Sequence, residues 1–498
     1  MKKFLLLKLL ITSTLISPIS LFSSIVDTPL ANLTEAQKSW LLNQRETAKI
    51  LYIEEINSSE QKEVSAHNAA FLYFLEGKYM DADLYINVSL KNNHKYGPTL
   101  LLKGMIEYKR RNLKNSFKYL KAAIKHHSNS EIPEYYLGLY LYERKKYEES
   151  LDYLKDAISD NKKFTLPYPI IGDIYIKQCK YNEAIKILEK GLKYSYDAEI
   201  LLLLADVNIK TENYKEAEKY NGIFAYLFPN HPETSRVIKW IQERNIGNPY
   251  THDFYPIPYR DSSNRFFPIG ENVLYNVHWG PIKVGELNTV IAETLSFKGH
   301  DAYKVIFSLD SNPALEFIAS LHSDYITIIN QNTKQVLQHF LHLRENKIIC
   351  EKVYDFYREE GKFICRAVRE DGHIEYLEKY LPNNTIDATS ILFYSRQLVK
   401  EQRNERVMTI IDENFVISDI IFENKREPVI CRGKEELVQL ISGENYYKGI
   451  VGFTGKFRGW LRGAPAYLPI KSDFEIWVGR ISIIIASEEE QKLHKYSR

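Results

Sequence analysis

A chain of 498 residues exceeds one ordinary hydrophobic core, so two or three domains are expected. Its 66 basic and 64 acidic residues balance to +2, which argues against a nucleic-acid footprint, since that needs a basic excess on one face. The 36 tyrosines raise the expectation of grooves lined by aromatic side chains.

The opening MKKFLLLKLLITSTLISPISLFSS reads as a secretory signal, with Lys2 and Lys3 before an apolar run, Leu9 to Phe22, broken by Pro18. About fourteen residues are too few to span a hydrocarbon core. Residues 1–31 are therefore expected to direct export and to be removed, after Ser23 or after Ala31. No cysteine lies near either point, which argues against a lipoprotein anchor, and no later segment is long and apolar enough to cross a membrane. The expected location is periplasmic or secreted, not integral to the membrane. Cys179, Cys350, Cys365 and Cys431 are widely spaced without a C-x-x-C pair, so buried thiols or at most one structural bridge are expected, with no metal site.

Residues 32–65 are helical in pattern but out of phase with the segment after them, and are expected to cap the front. From 66 to 234 a fixed period appears. KKYEESLDYLKDAI is echoed by CKYNEAIKILEKGL and ENYKEAEKYNGIF, and second helices start at Tyr79, Leu113, Tyr147, Tyr181 and Tyr214, in steps of 34, 34, 34 and 33. Nine residues before each stands Ala70, Gly104, Gly138, Gly172 or Ala205, and three after each Ala82, Ser116, Ser150, Ala184 or Ala217. Ser89, Ala123, Ala157 and Gly191 come a further seven on, with Phe224 in the last unit. Two antiparallel helices fit such a period, and small residues are needed where their backbones cross. The pattern resembles the tetratricopeptide repeat family, five units long, with the turn glycine kept only as Gly77. Pro229 ends the last repeat, and 235–246 is expected to be a capping helix with Ile238, Trp240 and Ile241 turned inward.

The resemblance implies a binding scaffold whose concave face is lined by first helices. Here those positions are Phe71, Phe74, Leu101, Met105, Tyr108, Tyr135, Leu139 and Tyr142. Such a groove suits a peptide, a helix or the chain's own second domain; packing between repeats is the plainer use of the same side chains.

Residues 247–266 hold several prolines and no helical stripe, and read as a linker. The apolar period then becomes two, with Val273, Tyr275, Val277 and Trp279 on one face, and Tyr303, Val305, Phe307 and Leu309 on another. Hairpins are expected around Glu360-Gly361 and within ERVMTIIDENFVISDIIF. One helix interrupts them, with Asp387 as N-cap and Ile391, Leu392, Ser395, Leu398 and Val399 inward; Asp387 and Arg396 face opposite sides, so each needs a strand partner. With that turn Cys365 faces about residue 356, leaving Cys350 roughly 20 Å away at about 3.3 Å per residue, too far for a disulfide.

The landmarks IGENVLYNVHWGPIKVGE, DATSILFYSRQL and LPIKSDFEIWVGRISIII resemble an exported bacterial β-domain family of unknown function, over about 267–487; 488–498 reads as a polar tail. The general shape this implies is similar to curved half-barrels that carry lipoproteins or acyl chains. Arg458 and Arg462 stand where that family's closing motif has an acidic residue, so no site is carried over.

No catalytic motif is found: no G-x-S-x-G, phosphate loop, H-E-x-x-H or dinucleotide fingerprint. His126-His127 reads as solvated, one of His339 and His342 as buried and hydrogen-bonded, and SLHSD as triad letters without triad geometry. In FTGKFRGWLRGAPAYLPI, the side chains Lys456, Phe457, Arg458, Trp460, Arg462 and Tyr467 suit a glycan, an anionic head group or a carboxylate. The plainer expectation is a hairpin with Trp460 in the core and its arginines in water.

The expected protein is multidomain, an all-α tetratricopeptide-type solenoid followed by a mainly antiparallel β domain, half-barrel or sandwich-like, with one helix. Its expected role is that of a non-enzymatic envelope scaffold. The groove would take a protein or peptide, and the β domain a lipid, acyl chain or glycan, with no cofactor and no nucleic acid. The alternative is an envelope enzyme or glycan-processing accessory whose site is assembled from dispersed β-domain residues.

Overall fold

The computed structural model describes residues 33–126, 131–244, 267–315, 321–345, 348–411, 413–445, 453–476 and 479–496. The expected signal, His127 and the expected linker lie outside them.

Helices α1 (Glu35–Leu41) and α2 (Arg45–Ser58) lead the chain. A capping box opens α1: the Thr34 hydroxyl accepts from Gln37 N–H, and the Gln37 side chain accepts from Thr34 N–H. Five helix pairs follow: α3 (Lys62–Leu75) with α4 (Tyr79–Asn92), α5 (Gly97–Lys109) with α6 (Leu113–His126), α7 (Glu131–Glu143) with α8 (Tyr147–Asp160), α9 (Pro167–Lys177) with α10 (Tyr181–Leu192), and α11 (Ala198–Lys210) with α12 (Tyr214–Leu227). This is the tetratricopeptide-type solenoid that the spacing predicts.

The small residues mark the helix crossings. A Cβ built on Gly104, Gly138 or Gly172 would come within 2.7, 2.5 or 2.5 Å of Leu120, Leu154 or Leu188. Ser116 and Ser150 donate back to the carbonyls of Gly104 and Gly138 at 2.9 and 2.7 Å, so their hydroxyls are satisfied inside the crossing. Each pair turns through one left-handed residue: Gly77, Arg111, Lys145, Cys179 and Glu212, with φ between 56° and 72°. The turn geometry therefore survives at four positions where glycine does not.

The capping helix is α13 (Thr234–Glu243). Its face differs from expectation: Val237 and Ile241, one turn apart, are buried, whereas Ile238 is exposed and Trp240 half-buried. An i, i+4 pair faces one neighbour, and Ile238 lies to the side of that stripe; the Arg244 guanidinium covers the Trp240 ring at 4.0 Å.

The second half runs β1 (Asn272–Trp279), β2 (Ile282–Phe297), β3 (His300–Ser311), β4 (Leu321–Asn330), β5 (Val336–Glu345), β6 (Ile348–Tyr357), β7 (Lys362–Arg369), β8 (Ile374–Tyr380), β9 (Thr385–Asp387), α14 (Ser390–Glu401), β10 (Glu405–Ile411), β11 (Asn414–Cys431), β12 (Lys434–Asn445), β13 (Phe453–Leu461), β14 (Pro469–Ile476), β15 (Gly479–Ile485) and α15 (Glu488–Tyr496). The described strands form one 15-stranded sheet, ordered β8-β7-β6-β5-β4-β3-β2-β1-β15-β14-β13-β12-β11-β10-β9. All neighbours are antiparallel except β9 with β10. The described strands thus form one continuous sheet and not two separate ones.

That sheet bends until its far ends meet. His339 of β5 stands 3.4 Å from Asp387 of β9. Phe363 of β7 packs edge-on against Phe415 of β11 at 5.5 Å. Helix α14 fills the bend, with Phe393 against Phe267 and Phe307. Phe393, Tyr394, Ser395, Arg396, Leu398 and Val399 are buried, while Ile391 and Leu392 are only half-buried. Thr389 takes the N-cap position, yet Asp387 does the capping, accepting from the N–H groups of Thr389 and Ser390 at 2.9 and 3.1 Å.

Both hairpins form. Around Glu360-Gly361 the register sets Cys365 opposite Tyr354, two residues from the expected position, and Cys350 opposite Arg369; all four cysteines are free. The expected polar tail instead contains α15, held by Gln491, which bonds both the N–H and the C=O of Leu274.

Candidate functional site

The solenoid half grips the β domain at two places, β7 and the β7–β8 turn at one end, and β11 and the segment after β8 at the other. At the amino-terminal end, Trp40 Nε1 donates to Ala367 O at 3.1 Å and Arg366 Nε to Leu41 O at 3.1 Å. The Arg366 guanidinium also pairs with Asp355, both groups being buried. Tyr96 OH donates to Asp371 at 2.9 Å. At the other end, Tyr196 N–H donates to Phe415 O at 2.8 Å, Phe415 N–H to Ser195 Oγ at 3.1 Å, and Asn383 N–H to Leu227 O at 2.6 Å.

Between these grips lies a cleft of about 890 Å³. One wall is built by first helices: Tyr135 and Tyr142 of α7, Ile170 of α9, Leu202 and Leu203 of α11. The other is the tip of the β6–β7 turn at Glu360 and Gly361, with Lys362 of β7 and Glu378, Lys379 and Tyr380 of β8. Helical side chains three and four apart line one face, so a stack of first helices presents a continuous wall.

Charge in the cleft is unbalanced. Five carboxylates line it, among them Asp173, Asp197 and Glu378, against Lys362 and Lys379. Both lysines are engaged, Lys362 with Glu378 at 3.0 Å, and Lys379 with Glu413 O at 3.0 Å and Asp197 at 3.7 Å. Lys177 donates to Asp173 at 2.5 Å, and the Tyr142 hydroxyl shares that carboxylate. Burial holds the Glu199 carboxyl above its usual range.

Two of the eight groove residues read from sequence, Tyr135 and Tyr142, reach this cleft. Phe71 packs between Trp40 and Phe74, part of the amino-terminal grip. Tyr108 is buried with Tyr140 and Leu141, its hydroxyl donating to Glu143, and Leu139 packs beside that cluster. Leu101 and Met105 are half-buried on α5. The same groove positions in the fourth and fifth repeats are Pro169, Asp173, Ile176, Leu202, Asp206 and Ile209, of which Pro169, Asp173 and Leu202 line the cleft. Their signal was present in the period; that of the β8 wall was not, because nothing local ties residue 378 to residue 142.

In the β13 stretch, Trp460 is buried among Tyr275, Leu440 and Ile470, and its Nε1 donates to Glu427 at 2.9 Å. Arg462 binds Glu436 through two bonds of 2.7 Å, and Arg458 is exposed, 3.3 Å from Glu427. Phe457 is buried beside Phe474, and Tyr467 is half-buried in the following turn. Lys456, Phe457, Arg458 and Arg480 border a second cleft, of about 320 Å³.

Elsewhere in the β domain, polar side chains are fixed by one another. Arg396 makes two bonds to Glu271, at 2.6 and 3.1 Å, and donates to Ala466 O. Asp387 meets His339, whose Nδ1 lies 2.8 Å from Thr327 Oγ1; Tyr325 and Tyr354 stack on the two sides of the imidazole. Arg396 and Asp387 thus take separate partners, as their opposite faces require. His342, also buried, pairs with Glu351.

A repeat solenoid closed onto a curved single-sheet domain defines the class: a tetratricopeptide-type solenoid joined to a mainly antiparallel β domain. Residues 274–485 match the family described as a protein of unknown function, DUF3108. Among solved structures the solenoid is similar to PilF of Pseudomonas aeruginosa, at 16% identity and a TM-score of 0.36 over 41% of this chain and 98% of that one. It is also similar to PilW, a type IV pilus biogenesis factor (16%, TM-score 0.38, 41% and 94%), and to YrrB, a tetratricopeptide repeat protein with an unusual peptide-binding site (15%, TM-score 0.31, 38% and 97%). No curated protein matches the chain. Among the described residues no helix is long and apolar enough to cross a membrane.

Proposed function

We propose that this chain is an exported, non-enzymatic scaffold of the bacterial envelope that holds a peptide segment of a protein partner between α7, α9, α11 and the β7–β8 hairpin. The cleft itself carries this reading. It is a preformed concavity with aromatic and aliphatic side chains on one wall and polar groups on the other, the usual composition of a binding site. Export is supported by the charged-then-apolar opening of the sequence. A photo-crosslinking residue placed at Tyr142 in the producing cells should capture a partner peptide, and Tyr142→Ala should diminish binding of that partner. The melting temperature should change little, because Tyr142 is only half-buried. A collapse in melting temperature would assign Tyr142 to the core and remove the basis of the reading. Sequencing the mature amino terminus should begin at Ser24 or Asn32; a start at Met1 would contradict export with cleavage.

An amphiphile at the β domain is a second reading, favoured by the smaller cleft where Lys456 and Arg458 flank Phe457. Native mass spectrometry of the Lys456→Glu, Arg458→Glu variant should then show a co-purifying amphiphile lost; unchanged adducts would reject that site.

A further inference from the structure

β8 is an outermost strand of the sheet, and its Glu378, Lys379 and Tyr380 line the cleft together with the β6–β7 turn. Two bonds set the phase of the β7–β8 ladder: Leu381 N–H donates to Gly361 O at 2.8 Å, and Arg369 N–H to His373 O at 2.9 Å. Opposed residues exchange bonds at alternate positions of an antiparallel ladder, which makes Phe363–Lys379, Cys365–Leu377 and Ala367–Glu375 the bonded pairs. The N–H and C=O groups of Tyr376, Glu378 and Tyr380 therefore point away from β7. No described strand pairs with them.

At the start of β8 this edge is already met by a side chain. Asn68 of α3 donates from Nδ2 to Gly372 O at 3.0 Å and accepts from Ile374 N–H at 3.1 Å. One carboxamide makes the two bonds that a neighbouring strand would make, and further along β8 Glu378, Lys379 and Tyr380 reach the cleft.

We propose that the cleft receives an extended peptide with alternating basic and apolar side chains, which adds to β8 as a further strand; this rests on the peptide-cleft reading above. Strand addition obtains its affinity from main-chain bonds and its specificity from pockets for alternate side chains. The main-chain partners are the outward groups of Tyr376, Glu378 and Tyr380. Tyr142, Ile170, Leu202 and Leu203 form the apolar wall. The cleft's carboxylates outnumber its lysines, and Glu199 and Glu360 stand outside the ion pairs made by Lys362, Lys379 and Lys177, so these two select basic side chains. A single extended segment fits this site better than a second copy of the sheet, because α7, α9 and α11 stand across from the free edge.

The test uses the full chain and a fluorescent ten-residue peptide alternating lysine and valine, followed by anisotropy. Two further peptides are compared with it: one alternating glutamate and valine, and the lysine–valine peptide N-methylated at alternate amides. Glu378→Pro removes one outward donor, at an edge position where proline is tolerated; Glu378→Ala keeps that donor and removes only the carboxylate. Glu378→Pro, N-methylation and the acidic peptide should each weaken binding by about tenfold or more, and Glu378→Ala by no more than about threefold. Should Glu378→Pro prove unstable, N-methylation tests the same bonds on the unaltered chain. Binding lost in Leu203→Asp but indifferent to Glu378→Pro and to N-methylation would overturn strand addition and leave the peptide cleft standing. Binding indifferent to all of these changes would overturn both. No binding of the lysine–valine peptide, with capture at Tyr142 intact, would overturn the basic alternating class alone. A dimer dissolved by Glu378→Pro would assign the edge to a second copy and overturn the proposal.

Discussion

At its amino-terminal end the solenoid is bound to the β domain by buried polar contacts, whereas midway along the same concave face it leaves a cleft. In the first region Trp40 and Arg366 are almost wholly buried, and their polar atoms reach backbone carbonyls of the opposite domain. In the second, Tyr135 and Tyr142 are half-buried, and Tyr380 across the cleft remains 40% exposed. The first region draws on the leading helix α1, the second on first helices of the later repeats. A guanidinium can be buried only beside a fixed counter-charge, and Arg366 has Asp355, itself bonded to Gln338 at 2.9 Å and Lys298 at 2.8 Å. Such a contact commits the two domains to each other. The middle offers partly open aromatics, rim charges and a strand edge, groups that are satisfied by something arriving and leaving.

The harshest way to break this contrast is Arg366→Ala. It leaves Asp355 as a buried charge with reduced compensation and should cost about 3–5 kcal/mol in denaturant unfolding. A neutral result would mean that the amino-terminal grip is as loose as the cleft.

The same grip should also respond to pH. Burial, then the nearby charge of His373, holds His67 at about 3, well below its ordinary 6.5. A neutral folded histidine loses stability as pH falls from 6.5 towards 3, because the unfolded chain takes up the proton first. For His373 burial acts downward, but hydrogen bonds to Asp371 and Glu375 prevail and raise it to about 9. Its contribution is complete below 6.5 and is lost as pH rises through 9. Stability should therefore peak near pH 6.5 and drop by roughly 2–4 kcal/mol along each arm. His67→Gln should flatten the acid arm and His373→Gln the alkaline one in pH-dependent unfolding; arms unaltered by either change would remove these histidines from the account.

Within the solenoid, Gly138→Leu should cost roughly 1–3 kcal/mol, since its side chain would be driven into Leu154 at the helix crossing. A variant as stable as the parent would misplace that crossing. The smallest effect is expected at the turns. Lys145 adopts φ 60°, and Lys145→Gly should stabilise the solenoid by about 0.5–1 kcal/mol by relieving left-handed strain. A loss of stability in calorimetry would show that the lysine's own contacts outweigh that strain.

The helical half was largely legible because its information is local. Gly104, Gly138 and Gly172 recur at a fixed step and meet Leu120, Leu154 and Leu188 sixteen residues on. Four of the five left-handed turn residues were not legible, because Arg111, Lys145, Cys179 and Glu212 give no sign of positive φ by type. The face of α13 was misread at Ile238: three apolar residues within four positions fit more than one stripe, and only the packing of Val237 and Ile241 decided it. In the β half, period-two patterning located hairpins but not the closure that brings β5 to β9, or β7 to β11.

The order of helices and strands, the helix crossings and the hairpins were determined by the sequence itself, since each depends on residues within about one repeat or one hairpin of one another. The candidate site was decided by tertiary structure. Trp40 meets Ala367 across 327 residues of chain, and no periodicity records such a contact. Which groove tyrosines stay open, and which strand edge faces them, depends on how far the sheet's edge enters the concave face before side-chain volume and paired charge stop it. That depth is a property of two surfaces in contact, and neither surface exists until its own domain has folded.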